Sequence, residues 1–282
     1  MTAFFYDLSR YSFLQLALAA GLLASVSSGI VGSLIVVRRS TYIAGAISHC
    51  ILGGMGVARY LQTVHDITWL TPLAGAVIAS MIAALIIGWT TVFGKERSDS
   101  VFSIVWALGM AIGITFIMKT PGYGQDLMSY LFGSILMVSV KDVWLMAVLD
   151  ILVVALVLLF YNRILAVCFN EETARARGIP VGVYTMIILV TTALTTVLLV
   201  QVVGIVLVIA LLTLPAATVS QFVQKLSLIM IWSAVLCFLL VFSGLVISYG
   251  PELPVGATII ELAGLVYLCA LGINRLKYSF KK

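Results

Sequence analysis

His49 lies in the stretch STYIAGAISHCILGG, residues Ser40 to Gly54, where nearly every neighbour is apolar or small. A neutral imidazole is a common ligand for zinc and other transition-metal ions. Counted from Thr41, His49 lies about 12 Å along a helix. That depth is near the midplane of a ~30 Å hydrocarbon core. An ionisable side chain there is costly and marks a functional position by default. The plainer alternative is an imidazole bonded to a neighbouring carbonyl. Cys50 follows directly and therefore points about 100° away on the helix. Asp150 and Glu261 are carboxylates within other apolar runs. Each suits a proton relay or a weak metal contact, against the simpler alternative of a polar partner or water. His65 and Asp66, in QTVHDIT, read as a polar loop that gathers cations or is simply solvated.

Other chemistries find no support. The chain has two histidines and no HExxH, so a metalloprotease centre is excluded. Ser48 beside His49 faces elsewhere on a helix, which argues against a hydrolytic dyad. The cysteines Cys50, Cys168, Cys237 and Cys269 are scattered, with no CxxC pair. Most read as small apolar fillers, with Cys50, which adjoins His49, kept as a weaker candidate metal ligand. The nearest approach to a phosphate loop is WTTVFGKE, where Gly94 and Lys95 match. Trp89 replaces the first glycine and Glu96 the magnesium-binding hydroxyl, so no nucleotide cradle forms. Any ATP-derived energy has to come from a separate subunit.

These residues need elements to position them. Hydrophobic residues make up 62% of the chain and charged residues 10%. A soluble domain of 282 residues cannot hide that much apolar surface. The chain therefore reads as an all-α, polytopic membrane bundle, with residues 1–282 forming one transmembrane domain. No polar linker or low-complexity tract divides it, and its start lacks the basic residues of a cleaved signal. Apolar runs predict nine spans, near 12–37, 41–61, 70–93, 101–119, 142–162, 183–203, 204–223, 227–248 and 255–274. The short run 127–139 follows KTPGYGQD, whose proline and glycines break a helix. It is too short for a ~30 Å core and reads as a small helix at the outer face or a re-entrant segment, with eight or ten spans as the alternatives to nine.

Basic residues test that map. With the N-terminus outside, twelve of the sixteen lysines and arginines lie inside, among them Arg38, Arg39, Lys95, Arg97, Lys281 and Lys282. Arg10, Arg59, Lys119 and Lys141 lie outside. That bias fits the positive-inside rule and accounts for the net charge of +5 without nucleic acid. It weakens if 127–139 spans, because every later loop would invert. Arg59, Lys119 and Lys141 are candidates for pairing with carboxylates of an external partner, or for headgroup contact.

The longest polar interruption is NRILAVCFNEETARARGIPVG, Asn162 to Gly182. Asn170 is the expected N-cap, Glu171 and Glu172 fill the first turn, Arg175 and Arg177 come later, and Gly178 stops the helix. Such a capped helix at the cytoplasmic face suits docking; an ordinary solvated loop is the alternative. Gly204 and Pro215 predict a break and a kink in the second half.

Five stretches carry a family resemblance: GSLIVVRRSTYIAGAISHCILGGMG, DLMSYLFGSILMVS, FNEETARARGIP, VGIVLVIALLTLPAATVSQF and ELPVGATI. In this order they resemble the permease subunit of metal-ion ABC importers of the zinc, manganese and iron type, the ABC-3 family. The resemblance implies a homodimeric pore in the bacterial plasma membrane, two cytoplasmic ATPase subunits and an extracytoplasmic metal-binding protein. It implies no permanently bound cofactor, only a transported divalent ion. It also assigns Asn170 to Gly182 to the coupling helix of a type II importer. His49 matches the family's histidine, whereas the family's aspartate four residues earlier is Gly45 here. Loss of that oxygen ligand favours zinc, while manganese and iron stay open. Gly53, Gly54 and Gly56 suit close helix approach, either between two copies or within one. The competing class is a proton-coupled secondary carrier using His49, Asp150 and Glu261. Its inverted repeat of broken helices is not visible in the two halves.

Overall fold

The computed structural model describes residues 2–94, 98–121, 133, 135–251 and 253–279. Lys95, Arg97, Lys281 and Lys282, counted above as cytoplasmic, lie outside the described residues. So does most of 127–139, of which Gly133 and residues 135–139 are described. The helices are α1 (Thr2–Arg10), α2 (Ser12–Val37), α3 (Tyr42–Val64), α4 (Pro72–Phe93), α5 (Ser98–Lys119), α6 (Val140–Phe169), α7 (Glu171–Ala176), α8 (Val181–Val203), α9 (Ile205–Ser220), α10 (Leu226–Tyr249) and α11 (Val255–Ser279). No strand occurs among the described residues.

Each of the nine apolar runs is helical. Seven of them, α2, α4, α5, α6, α8, α10 and α11, are long and apolar enough to cross a bilayer. The chain is therefore a multi-pass membrane protein. The other two depart for local reasons. Helix α3 has 23 residues, but His49, Arg59 and Gln62 dilute its hydropathy. Helix α9 has only 16 residues. It is separated from α8 at Gly204, whose φ of 82° lies where side chains are strained.

Helix α6 overruns its expected end. The sequence places its stop near residue 162, yet it continues to Phe169 and is 30 residues long. Asn162 and Arg163 are exposed, while Ile164, Val167 and Cys168 turn inward. Their spacing of three and four residues is that of an amphipathic helix leaving the apolar layer. Helix α1 was not anticipated either. Phe4 is buried and meets Phe242 and Tyr249 edge to face. Asp7 accepts a 2.8 Å hydrogen bond from the Tyr249 hydroxyl.

Helix α2 is buried along most of its length and packs against α10, α9 and α6. Helix α3 is enclosed by α4, α5 and α8. Long-range contacts also fix which ends share a side. Arg38, at the end of α2, meets Glu171 and Thr185, which places the end of α6 and the start of α8 beside it. Arg163 of α6 donates to the Tyr184 hydroxyl of α8 at 2.7 Å. These ends carry the arginines assigned to the cytoplasm.

The opposite face is marked by the Tyr249–Asp7 bond, which joins the end of α10 to the element before α2. Gly133 sits there too, against the backbone of Val203 and Gly204. Helices α3 and α5 run parallel, since Trp106, Gly109 and Gly113 meet Gly45, Gly53 and Gly56 in order. The end of α5 and the start of α6 thus lie at one face, as a segment that does not cross requires.

Candidate functional site

The site is built on the α3–α5 contact. Gly53 and Gly56 of α3 face the backbones of Gly109 and Gly113 on α5, and Gly54 faces Gly75 on α4. A Cβ on Gly53 would sit 2.8 Å from the Gly109 carbonyl oxygen. Only hydrogen on both sides permits that approach. These glycines pack α3 inside its own chain.

Close packing brings His49 under Trp106 of α5. The two rings stack at 4.4 Å between centroids and 25° between planes. His49 Nδ1 lies 2.8 Å from the Gly45 carbonyl oxygen, one helical turn back. As a donor to that carbonyl, Nδ1 carries the proton, and Nε2 is left with its lone pair. His49 is 9% exposed, so the residue is largely enclosed within the chain. Gly45 explains the space: a Cβ there would come 2.8 Å from Trp106 Cζ3. The indole thus fills the volume where the resemblance expects a carboxylate.

The other candidate ligands are not assembled around His49. Cys50 is half-buried and turned into an apolar groove between α3, α4 and α5, beside Gly54, Ala79 and Gly109. Asp150 is 6% exposed on α6, with Ser27 of α2 beside it, and its Oδ2 has no hydrogen-bond partner. It occupies the buried seam of Met146, Asp150, Val153 and Val157, where the spacing asks for an apolar residue. Glu261 is exposed on α11. Among the described residues no three of His, Cys, Asp and Glu come together as a metal cage. A single imidazole nitrogen gives a weak, releasable contact, of the kind conduction requires.

A cavity of about 360 Å³ reaches α3 on the face opposite the α7 corner, lined by Met55, Ala76, Gly133, Met137, Asp142 and Gln201. Met55 lies about 9 Å beyond His49 along the helix. Of the outer basic residues, Lys119 and Lys141 are exposed, while Arg59 is half-buried and donates to Gln62 at 3.1 Å. His65 and Asp66 are exposed beyond α3, the histidine edge-on to Tyr60.

At the inner face, α7 has the expected construction. Asn170 Oδ1 accepts from the Thr173 amide at 2.9 Å. Glu171 and Glu172 occupy the first turn, and Gly178, at φ 74°, ends the segment. The helix proper has only six residues, shorter than the stretch to Gly182. Ala174 is its buried plug, while Glu172, Arg175 and Arg177 are exposed. Arg38 Nη2 meets Glu171 Oε1 at 2.7 Å and Thr185 Oγ1 at 3.0 Å. The Arg38 side chain is 8% exposed and that of Glu171 40%, so the pair sits at the rim. The sequence singled out neither Trp106 nor the structural use of Arg38. The arginine was visible only as a cytoplasmic charge, and the tryptophan had no local signal at all.

Known proteins bear on this arrangement. The chain is 38% identical to a probable metal transport system membrane protein of Chlamydia muridarum, over 92% of this chain and 88% of the relative. It is 33% identical to a manganese transport system membrane protein, MntC, of Halalkalibacterium halodurans, over 96% and 90% respectively. Among solved structures it resembles PsaBC from Streptococcus pneumoniae in complex with Fab, with a TM-score of 0.83, 29% identity, and coverage of 96% of this chain and 95% of the other. The model of the ABC 3 transport family matches residues 10–274, which takes in α3 with His49 and the whole of the α7 corner, and the chain belongs to that family.

Proposed function

We propose that this chain is the membrane subunit of an ATP-driven importer for a divalent transition-metal ion. Two copies form the pore, two cytoplasmic ATPases bind the α7 corners, and an extracytoplasmic binding protein delivers the ion. The observation that carries this reading is a buried imidazole in α3, in a chain that matches the ABC 3 transport family from residue 10 to 274. His49 offers Nε2 to the passing ion. Imidazole without a carboxylate favours zinc. The 33% identity to a manganese transport system membrane protein favours manganese as a second cargo. Lys119 and Lys141 supply positive charge for acidic groups on the binding protein.

The ATPases transmit force through Glu172, Arg175 and Arg177, the exposed charges of α7. The Arg38–Glu171 pair ties α7 to the ends of α2 and α8, so a push on α7 moves packed helices as a body. Metal accumulation by cells carrying the complete transporter tests the reading. With His49→Ala, uptake of zinc or manganese falls by about tenfold or more, the loss of a contact worth ~1.4 kcal/mol. Unchanged uptake of both ions, at equal amounts of assembled complex, removes His49 from the path. Charge reversal at Arg175 and Arg177 together releases the ATPase on purification; retained ATPase overturns the docking assignment.

A further inference from the structure

Two contacts engage the His49 imidazole, and the Trp106 indole that makes one of them also crowds residue 45. The indole covers a face of His49 at 4.4 Å. The Gly45 carbonyl engages Nδ1 at 2.8 Å. The same indole crowds residue 45, where a Cβ would lie 2.8 Å from Cζ3 and 3.3 Å from Cε3 unless the indole shifts. One turn further along, Gly109 meets the Cys50 backbone, where an added Cβ would lie 2.6 Å from Cys50 Cα, so α5 is seated closely against α3 at this level. One face and one nitrogen of the ring are thus engaged, and Nε2 is the nitrogen with no partner among the described residues.

We propose that Trp106 is a specificity-determining positioning residue. Its indole holds His49 so that Nε2 alone meets the passing ion, and it fills the space that an oxygen-bearing side chain at residue 45 would need. This inference rests on the reading of His49 as the cargo contact. A contact made through nitrogen without a neighbouring carboxylate suits zinc better than manganese, which prefers oxygen. A fixed ring also loses little freedom on binding, which strengthens an otherwise single-ligand contact.

The test is uptake of zinc and of manganese by the complete transporter in proteoliposomes, normalised to assembled complex. Trp106→Phe keeps a flat aromatic face and holds the half-saturating zinc concentration and the zinc-to-manganese preference within about twofold of the parent. Trp106→Leu keeps apolar bulk without that face. It raises half-saturating zinc by about tenfold while the maximal rate changes much less, and the preference for zinc drops. Trp106→Met gives an independent copy of the same comparison. Gly45→Asp impairs uptake beside Trp106, whereas in the Trp106→Leu background it shifts the preference towards manganese, a non-additive pair.

Parent-like half-saturation and preference in both the Leu and Met variants would overturn the inference. So would equal losses in Phe, Leu and Met confined to the maximal rate, since that is what a packing role alone produces. If His49→Ala has no effect, the cargo-contact reading fails first. If His49→Ala stops uptake while Trp106→Leu transports with parent affinity and preference, only the role of Trp106 falls.

Discussion

His49 and Asp150 are both buried in helices of the membrane domain, at 9% and 6% exposure, but their surroundings differ in kind. His49 has one nitrogen tied to its own backbone and a face against an indole, with the second nitrogen left over. Asp150 has an oxygen with no partner among the described residues, in an otherwise apolar seam with Ser27 of α2 beside it. Around the histidine, packing specifies an orientation. Around the aspartate, packing tolerates a polar group and gives up stability, because a buried acceptor left unpaired costs ~1–3 kcal/mol. An interior ionisable residue is thus not a functional one by position alone. What separates the two is whether the neighbours aim the group.

The largest effect that would break this comparison lies in the glycine seam beneath His49. Gly54→Leu drives a side chain into the Gly75 backbone and costs about 3 kcal/mol or more, enough to remove most assembled transporter. Size-exclusion chromatography in detergent reads this directly, and a normal yield would show that α3 and α4 are not so tightly joined. Next comes Glu171→Ala at the inner end of the α2–α6 region. It leaves the Arg38 guanidinium, whose side chain is 8% exposed, with Thr185 as its remaining hydrogen-bond partner among those described. The glutamate is 40% exposed, so solvent screens the pair and the loss is about 1–2 kcal/mol. Thermal unfolding of the purified protein should shift accordingly, with no change in half-saturating metal.

Asn170→Ala removes the side chain that caps α7 and costs about 1 kcal/mol. Its signature is a larger defect in ATPase association than in stability; a defect in stability alone would reduce α7 to a connector. The smallest effect is expected at Asp150. Asp150→Asn replaces the carboxyl with a polar group of similar shape, and stability changes by about 1 kcal/mol or less. Uptake stays at the parent level. Loss of transport in a fully assembled Asp150→Asn complex would erase the contrast with His49 and bring α6 into the path.

Much of this architecture was legible in one dimension. The apolar runs marked each long helix, and the arginines marked the inner face. Asn170 and Gly178 marked α7, since a cap and a positive-φ stop are local chemistry. The end of α6 was missed because hydropathy falls at Asn162 and Arg163 while the inward period of Ile164, Val167 and Cys168 continues. Tracking periodicity through that point would have found it. The glycines after His49 were read correctly as contact residues, but their partners on α4 and α5 lie in other helices, and no spacing within α3 names them.

The sequence by itself determined that this is a polytopic helical membrane protein, and which helix ends carry the arginines that the structure gathers on one face. Transfer of a residue between water and lipid depends on that residue and its immediate neighbours, so composition and charge suffice. Only the tertiary structure decided that His49 is interior, that Nε2 is its remaining nitrogen, that Trp106 takes the room above Gly45, and that Asp150 stands apart. Those outcomes depend on ångström-scale approach between helices distant along the chain, which glycine contacts permit and no single segment encodes.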